Sequence, residues 1–105
     1  MSWSNALVPG LRAASVALFA AGQRADPTLR VSSVRRTRGE QTRLYNRYLA
    51  GRSQYPALPP GQSLHESGRA FDLYTTRTDV LWWLGAVWRS WGGRWGASDP
   101  IHFEA

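Results

Sequence analysis

The chain has 105 residues and a mass of 11.8 kDa, a length that predicts one domain over residues 1–105 and argues against a multidomain protein. It contains no cysteine, which excludes disulfides, cysteine zinc fingers, thiol nucleophiles and iron–sulfur clusters. Thirteen arginines against seven acidic residues give a net charge of +6, which suits an anionic partner. Only two histidines are present, so a three-ligand metal site would also need a carboxylate.

The N-terminal half of the chain predicts a helix, a short strand and a second helix. Apolar residues at helical spacing indicate a helix over residues 9–21, with Gly22 at its end. The partly β-branched stretch 29–34 predicts a strand. Thr37 and Glu40 form a capping box, which predicts that a helix begins there and runs to Gly51. The apolar stripe of that helix consists of Gln41, Leu44, Tyr45, Tyr48 and Leu49.

The C-terminal half predicts a loop, two short strands and a third helix. Proline and glycine mark residues 51–63 as a long irregular loop, of the kind that borders a site. Side chains that alternate between two faces predict a strand over 69–74, and a second short strand is expected over 101–104. Thr78 and Asp79 are expected to cap a helix that runs to about residue 91. The order of elements predicts an α+β fold with a small, mostly antiparallel sheet and about three helices.

The tryptophans are expected to divide between the core and a groove. Trp88 and Trp91 share the apolar stripe of the third helix and are assigned to the core. The residues considered for lining a glycan or peptide groove are Trp82, Trp83 and Trp95.

The apolar stretches of the sequence are short. The longest, residues 13–21, is too short to span a membrane. It also lacks the strongly basic start of a signal peptide, so we expect synthesis in the cytoplasm and no membrane span. A monomer is expected.

Both histidines and four of the seven carboxylates fall in two segments, residues 63–72 and 99–104. His65, Asp72 and His102 are candidate metal ligands, because two His and one Asp form a catalytic type of zinc triad that leaves a position for water. On one straight strand His65 and Asp72 would face opposite ways, so the chain must bend, and Gly68 lies between them. A type I turn opened by Asp99 would bring its side chain towards the same site as His102.

Together the two segments resemble the signature of a family of zinc peptidoglycan peptidases. The pattern Ser-x-His-x-x-Gly-x-Ala-x-Asp is filled without a gap from Ser63 to Asp72, and Asp99 stands three residues before His102. The strand with its arginine at 31–36, the Glu-Gln pair at 40–41 and the Trp-Gly-Gly-x-Trp segment at 91–95 are similar as well. The family includes the D-alanyl-D-alanine carboxypeptidases of vancomycin resistance and the L-alanyl-D-glutamate endopeptidases of phage endolysins. The resemblance implies a hedgehog- or D,D-peptidase-like fold.

The resemblance also implies a role for each matching residue. His65, Asp72 and His102 would bind Zn²⁺, Asp99 would be the general base, and Arg36 would stabilise the oxyanion at the substrate carbonyl. Asp at position 99 and the Trp-Gly-Gly-x-Trp segment favour cleavage between L-Ala and D-Glu of the peptidoglycan stem peptide, as in endolysins. Removal of a terminal D-Ala by a carboxypeptidase is the alternative.

Three residues near the motifs keep more than one interpretation. Gln41 is either buried and hydrogen bonded or directed into the site. Glu104 either orients a metal ligand or is a surface charge at a strand end. Ser63 is expected to shape its loop through backbone hydrogen bonds rather than act as a nucleophile, because no base remains to activate it.

The arginines support a competing, non-catalytic interpretation. Arg36 lies in the basic cluster 35–38, where Arg38 is an alternative for its role, and Arg94 stands where the family has an acidic residue. A module that binds the cell wall or nucleic acid through these charges would need no metal. The family pattern of His and Asp favours the peptidase, so bacterial peptidoglycan, and not nucleic acid, is the expected partner.

Overall fold

The computed structural model describes residues 2–105. Three α-helices and three β-strands alternate along the chain, which confirms the predicted α+β class. The helices are α1 (Pro9–Ala25), α2 (Arg38–Leu49) and α3 (Thr78–Ser90). The strands are β1 (Arg30–Ser33), β2 (Ala70–Tyr74) and β3 (His102–Glu104). Two 3-10 turns cover Trp3–Ala6 and Leu64–Ser67.

The strands form one antiparallel sheet in the order β1-β2-β3. On the central strand, Asp72 lies opposite Ser33 of β1 and opposite His102 of β3. The register shifts between Val31 and Ser33 at the β1 edge. A side chain on β2 is therefore held between neighbours on both sides.

An aromatic cluster from the sheet and α3 lies at the centre of the core. Phe71 and Phe103 are fully buried and stack with their ring centroids 5.5 Å apart. The Trp88 ring stands edge-on to Phe71 at 5.2 Å, and its indole nitrogen donates to the Glu104 carbonyl. Because side chains alternate along a strand, the neighbours of these phenylalanines, Asp72 and His102, face the other side of the sheet.

The capping box of α2 is present as predicted. The Thr37 hydroxyl accepts the Glu40 backbone N–H at 3.1 Å, and the Glu40 carboxylate accepts the Thr37 backbone N–H at 2.9 Å. Gln41 is the one buried residue of this helix. α2 therefore forms an exposed wall beside the sheet, anchored to the protein at its N-terminal end.

The first helix is longer than predicted, and Gly22 is not its end. α1 continues to Ala25. A Cβ at position 22 would lie 2.4 Å from the Leu29 side chain and 2.9 Å from that of Leu84. Gly22 thus permits close packing of α1 against its neighbours, a requirement that helical spacing alone does not reveal.

Two expectations about the third helix are wrong. Arg77, and not Thr78 or Asp79, precedes the helix as its N-terminal cap, and no side chain caps it. Trp91 is 50% exposed because the helix ends at Ser90 and the ring of Trp91 lies at the surface against Trp88. None of the helices within residues 2–105 has the length and hydrophobicity that crossing a bilayer requires.

Candidate metal centre and active site

His65, Asp72 and His102 meet on the face of the sheet opposite the aromatic core. His65 lies in the 3-10 turn before β2, and that turn ends at Gly68 with φ 72°. A Cβ at position 68 would lie 2.9 Å from the Ala6 carbonyl oxygen, so both the left-handed backbone and the close approach require glycine. The bend that brings His65 and Asp72 together is located here.

Three side-chain atoms of this triad converge. His65 Nε2 lies 3.0 Å from Asp72 Oδ1 and 3.2 Å from His102 Nδ1, and His102 Nδ1 lies 3.3 Å from Asp72 Oδ1. Zinc held tetrahedrally at about 2.0–2.2 Å places its ligand atoms about 3.3–3.6 Å apart. The triad is therefore close to the size that such an ion requires.

The outer hydrogen bonds of the two imidazoles define which nitrogen atoms face inward as acceptors. His65 Nδ1 donates to the Val34 carbonyl, which leaves the Nε2 lone pair facing the triad. His102 Nε2 donates to Glu104 Oε1 at 2.9 Å, which leaves the Nδ1 lone pair facing it. Asp72 Oδ1 adds a third acceptor. Three acceptors at this separation repel one another unless a cation, either a proton or a metal ion, lies among them.

The pKa shifts of Asp72 and His102 show that the triad favours a negative carboxylate with a positive charge beside it. Burial opposes ionisation of Asp72, but its contacts with His102 and His65 and the nearby charge of Arg36 hold the pKa of this carboxyl well below its usual range. Burial likewise disfavours a charged His102, but the hydrogen bond to Asp72 and its charge raise the pKa of His102 above its ordinary value.

Arg36 and Gln41 support Asp72 from behind. Arg36 Nη2 donates to Asp72 Oδ2 at 2.9 Å, Nη1 donates to Gln41 Oε1 at 3.1 Å, and Nε donates to Ser33 Oγ at 2.9 Å. Gln41 is fully buried and its amide donates to the Leu58 carbonyl at 2.8 Å. Of the two predicted alternatives for Gln41, the structure shows the buried, hydrogen-bonded side chain.

Asp99 lies beside the triad, in the turn that leads into β3. The His102 N–H donates to the Asp99 carbonyl at 3.0 Å, as the predicted turn requires. Asp99 Oδ1 is buried and, within residues 2–105, has no hydrogen-bond partner. Burial raises the pKa of Asp99 to about 6. An unpartnered carboxylate oxygen next to this candidate metal site can accept a proton.

Ser63, Glu104 and Arg94 surround the triad. Ser63 Oγ accepts the His65 backbone N–H at 3.2 Å, so this side chain shapes the turn. Glu104 Oε1 contacts His102, and its other oxygen, Oε2, pairs with Arg94 Nη2 at 3.0 Å. Arg94 is also linked to Glu104 by two backbone hydrogen bonds. The Arg38 guanidinium lies near Gly61, outside the cleft into which the triad opens.

The triad opens into a cleft of about 1350 Å³. On the β1 side its wall is formed by α2 and residues 53–58, and on the β3 side by residues 94–101. Arg43 and Arg47 line the α2 wall and are not among the site residues predicted from the sequence. Their spacing of four residues, which the sequence does show, places them on one face of the helix.

The sequence and the fold both match proteins of known class. The model of the VanY family, described as D-alanyl-D-alanine carboxypeptidase, matches residues 4–86. No curated protein matches the sequence significantly.

Solved structures of two proteins share the fold. LdcB, described as an LD-carboxypeptidase, has a TM-score of 0.71 at 24% identity. DacB from Streptococcus pneumoniae D39 has a TM-score of 0.68 at 24% identity, and a second DacB structure, described as an L,D-carboxypeptidase, has 0.68 at 25%. Each match covers 93% of this chain, whereas the chain spans only 65% of the length of these proteins.

The family match covers most of the chain, including β1, β2, α2 and the first two residues of the triad, and the fold agrees with it. The chain belongs to the VanY family of D-alanyl-D-alanine carboxypeptidases.

Proposed function

We propose that this chain is a zinc-dependent peptidase of peptidoglycan stem peptides, with the catalytic site in a single domain. The observation that carries the proposal is the convergence of three acceptor atoms, from His65, Asp72 and His102, next to the unpartnered oxygen of Asp99. The family match supports the substrate class. A fold that served only to bind nucleic acid would not need this arrangement.

His65, Asp72 and His102 would hold the zinc ion through Nε2, Oδ1 and Nδ1 respectively. When bound, zinc lowers the pKa of a water molecule and polarises the scissile carbonyl. His65 and Asp72 are almost inaccessible to solvent, whereas 22% of the His102 side chain is exposed. Substrate and water would therefore approach from the His102 side.

Asp99 is the proposed general base. At neutral pH a carboxyl with a pKa of about 6 is mostly ionised, so Asp99 accepts the proton of the attacking water and returns it to the leaving amine. The histidines cannot do this, because their inward nitrogen atoms are assigned to the metal and their outer N–H groups to Val34 and Glu104.

Arg36 is assigned two tasks. It holds Asp72 Oδ2, which directs Oδ1 towards the histidines. Nη1 and Nη2 each retain a second N–H, and these are the proposed donors to the oxyanion that forms at the substrate carbonyl.

The cleft favours hydrolysis of an internal bond, and we assign the bond between L-Ala and D-Glu. Lining residues lie on both sides of the triad, from the α2 wall to residues 94–98, so a peptide can continue in both directions past the metal. The second candidate is removal of a terminal D-alanine. The carboxypeptidase description of the family and of its structural relatives favours that activity.

Mass spectrometry of fragments from purified peptidoglycan tests the proposal. The zinc-loaded protein is compared with protein treated with a chelator and with the Asp99→Asn variant, which keeps the side-chain shape but cannot act as a base. We expect new D-Glu amino termini only with the zinc-loaded wild type. Release of single D-Ala residues would replace the endopeptidase by the carboxypeptidase. Absence of any chelator-sensitive product, or full activity of Asp99→Asn, would overturn the mechanism.

A further inference from the structure

The α2 wall of the cleft carries two arginines that form no ion pair within residues 2–105. Arg43 and Arg47 both line the cleft and are exposed. Within the described chain, neither guanidinium forms an ion pair or a hydrogen bond. Of the three other cleft arginines, Arg36 pairs with Asp72 and Arg94 pairs with Glu104, whereas Arg35 is exposed and also forms no ion pair within residues 2–105.

Their placement brings the two charges close to each other. Side chains four residues apart lie on the same face of a helix, and like charges at that spacing repel. The nearest acid in sequence, Glu40, is held by the Thr37 backbone in the capping box, although the charge of Arg43 helps to lower the pKa of Glu40. A ligand with negative charge would relieve this repulsion.

We propose that Arg43 and Arg47 form a carboxylate-binding subsite for acidic residues of the substrate. This inference rests on the proposed peptidase function and adds the charge of the peptide that the cleft selects. Arginine suits the task, because its planar guanidinium binds a carboxylate through two parallel hydrogen bonds. The ligand is a stem peptide with free side carboxylates, and the corresponding carboxamides bind weakly.

The position of α2 relative to the triad determines which residue is recognised. Gln41 is joined to Arg36, and Arg36 to Asp72, so the start of the helix is fixed at the triad. Arg43 and Arg47 lie two and six residues beyond Gln41, about 3 and 9 Å along the helix axis. An extended peptide that runs along α2 advances about 3.3–3.6 Å per residue, so the carboxylate belongs about one to three residues from the scissile bond.

The test compares a stem peptide that has free side carboxylates with the same peptide in which they are amidated. Steady-state kinetics are measured for the wild type, for the double variant Arg43→Gln/Arg47→Gln and for Arg89→Gln. Arg89 lies exposed on α3 away from the cleft, so its replacement controls for the loss of one positive charge outside the cleft. We expect the double variant to raise KM for the acidic peptide by about tenfold or more, with kcat changed less than twofold.

The wild type should also prefer the acidic peptide over its amide, and the double variant should lose that preference. Equal cleavage of both peptides by the wild type would overturn the subsite, as would equal losses in the double variant and in Arg89→Gln.

Calorimetric binding of both peptides to the zinc-loaded Asp99→Asn protein separates the two proposals. If no peptide is cleaved by the wild type, the peptidase assignment fails, and tighter binding of the acidic peptide that depends on Arg43 and Arg47 still supports the subsite. Equal affinity for both peptides overturns it. Binding of a phosphate polymer in preference to either peptide would assign the charges to a different ligand and also overturn it.

Discussion

Arg36 and Asp72, 36 residues apart in sequence, are joined by an ion pair of 2.9 Å across the back of the triad. The pair occupies Asp72 Oδ2 and leaves Oδ1 facing both histidines. The family resemblance implies a position for Arg36 at the substrate carbonyl, whereas its contacts in the fold orient a proposed metal ligand. Arg36 can both orient Asp72 and donate to the substrate, because its contacts with Asp72, Gln41 and Ser33 use three of the five N–H donors of the guanidinium.

Gln41→Leu tests the support behind this pair. The substitution removes the acceptor for Arg36 and the donor for the Leu58 carbonyl at a fully buried position. We expect it to lower the free energy of unfolding by about 1–3 kcal/mol, measured by urea denaturation of the metal-free protein. Asn46→Leu, on the exposed face of α2, is the matched control and should change stability by less than about 0.5 kcal/mol. Equal stability of the two variants would contradict the supporting role of Gln41.

Glu104 should tune the affinity for zinc through His102. Glu104→Ala removes the acceptor of the His102 Nε2 proton, so we expect zinc affinity to fall about 10–100-fold. Glu104→Gln keeps an oxygen acceptor without the charge and should lose less. Competition with a chromophoric chelator measures each dissociation constant.

Arg94→Gln provides the comparison, because Arg94 pairs with the same carboxylate from an exposed position. Ion pairs of this kind contribute about 0–1 kcal/mol, so its effect on zinc affinity should be fivefold at most. A larger loss in Arg94→Gln than in Glu104→Ala would show that His102 is oriented by something other than Glu104.

Asp99 should titrate at about pH 6 in the metal-free protein, because burial raises its pKa. Carbon NMR of the side-chain carboxyl measures the midpoint, and Asp79, whose pKa is lowered by Arg77, should titrate below the usual range for aspartate. Since the folded-state pKa is raised, the stabilisation from protonated Asp99 is complete below about pH 4 and is lost as the pH rises through about 6. Asp99→Asn should therefore gain stability relative to the wild type on going from pH 4 to pH 8. A wild-type midpoint near pH 4 would contradict the burial argument.

Gly68→Ala should destabilise the protein and weaken the site. Alanine at φ 72° is strained, and its Cβ would lie 2.9 Å from the Ala6 carbonyl oxygen. We therefore expect the free energy of unfolding, measured by thermal denaturation, to fall by about 1–3 kcal/mol. Gly51→Ala is a matched control, because position 51 has φ 73° but no atom within 4 Å of the place that an alanine methyl group would take. The difference between the two variants isolates the contact with Ala6. Identical losses would show that backbone strain alone matters.

Local signals in the sequence were sufficient for much of the fold. The capping box at Thr37 and Glu40 and the alternation along β2 depend on neighbouring residues, and both are present. The turn from Asp99 to His102 follows from a dipeptide with a strong turn preference. These features are encoded within a few residues, so tertiary packing does not override them.

Features that depend on packing between distant segments could not be predicted in this way. The exposure of Trp91 depends on where α3 ends, and the role of Gly22 depends on Leu84, which comes from another helix. The contact between Arg36 and Asp72, like the exposure of Arg43 to the cleft, requires knowledge of how α2 lies against the sheet. Periodicity identifies the faces of a helix but not what each face meets.

The sheet order has a consequence for folding. On both sides, β2 pairs with strands that are distant in sequence. In the triad, His102 lies 30 residues from Asp72 and 37 residues from His65. Closing such loops costs entropy before any long-range contact forms, so the complete triad exists only once the sheet is assembled. An ion that binds this triad therefore acts on the native state and lowers its free energy by mass action. Its kinetic signature is slower unfolding with little change in the folding rate.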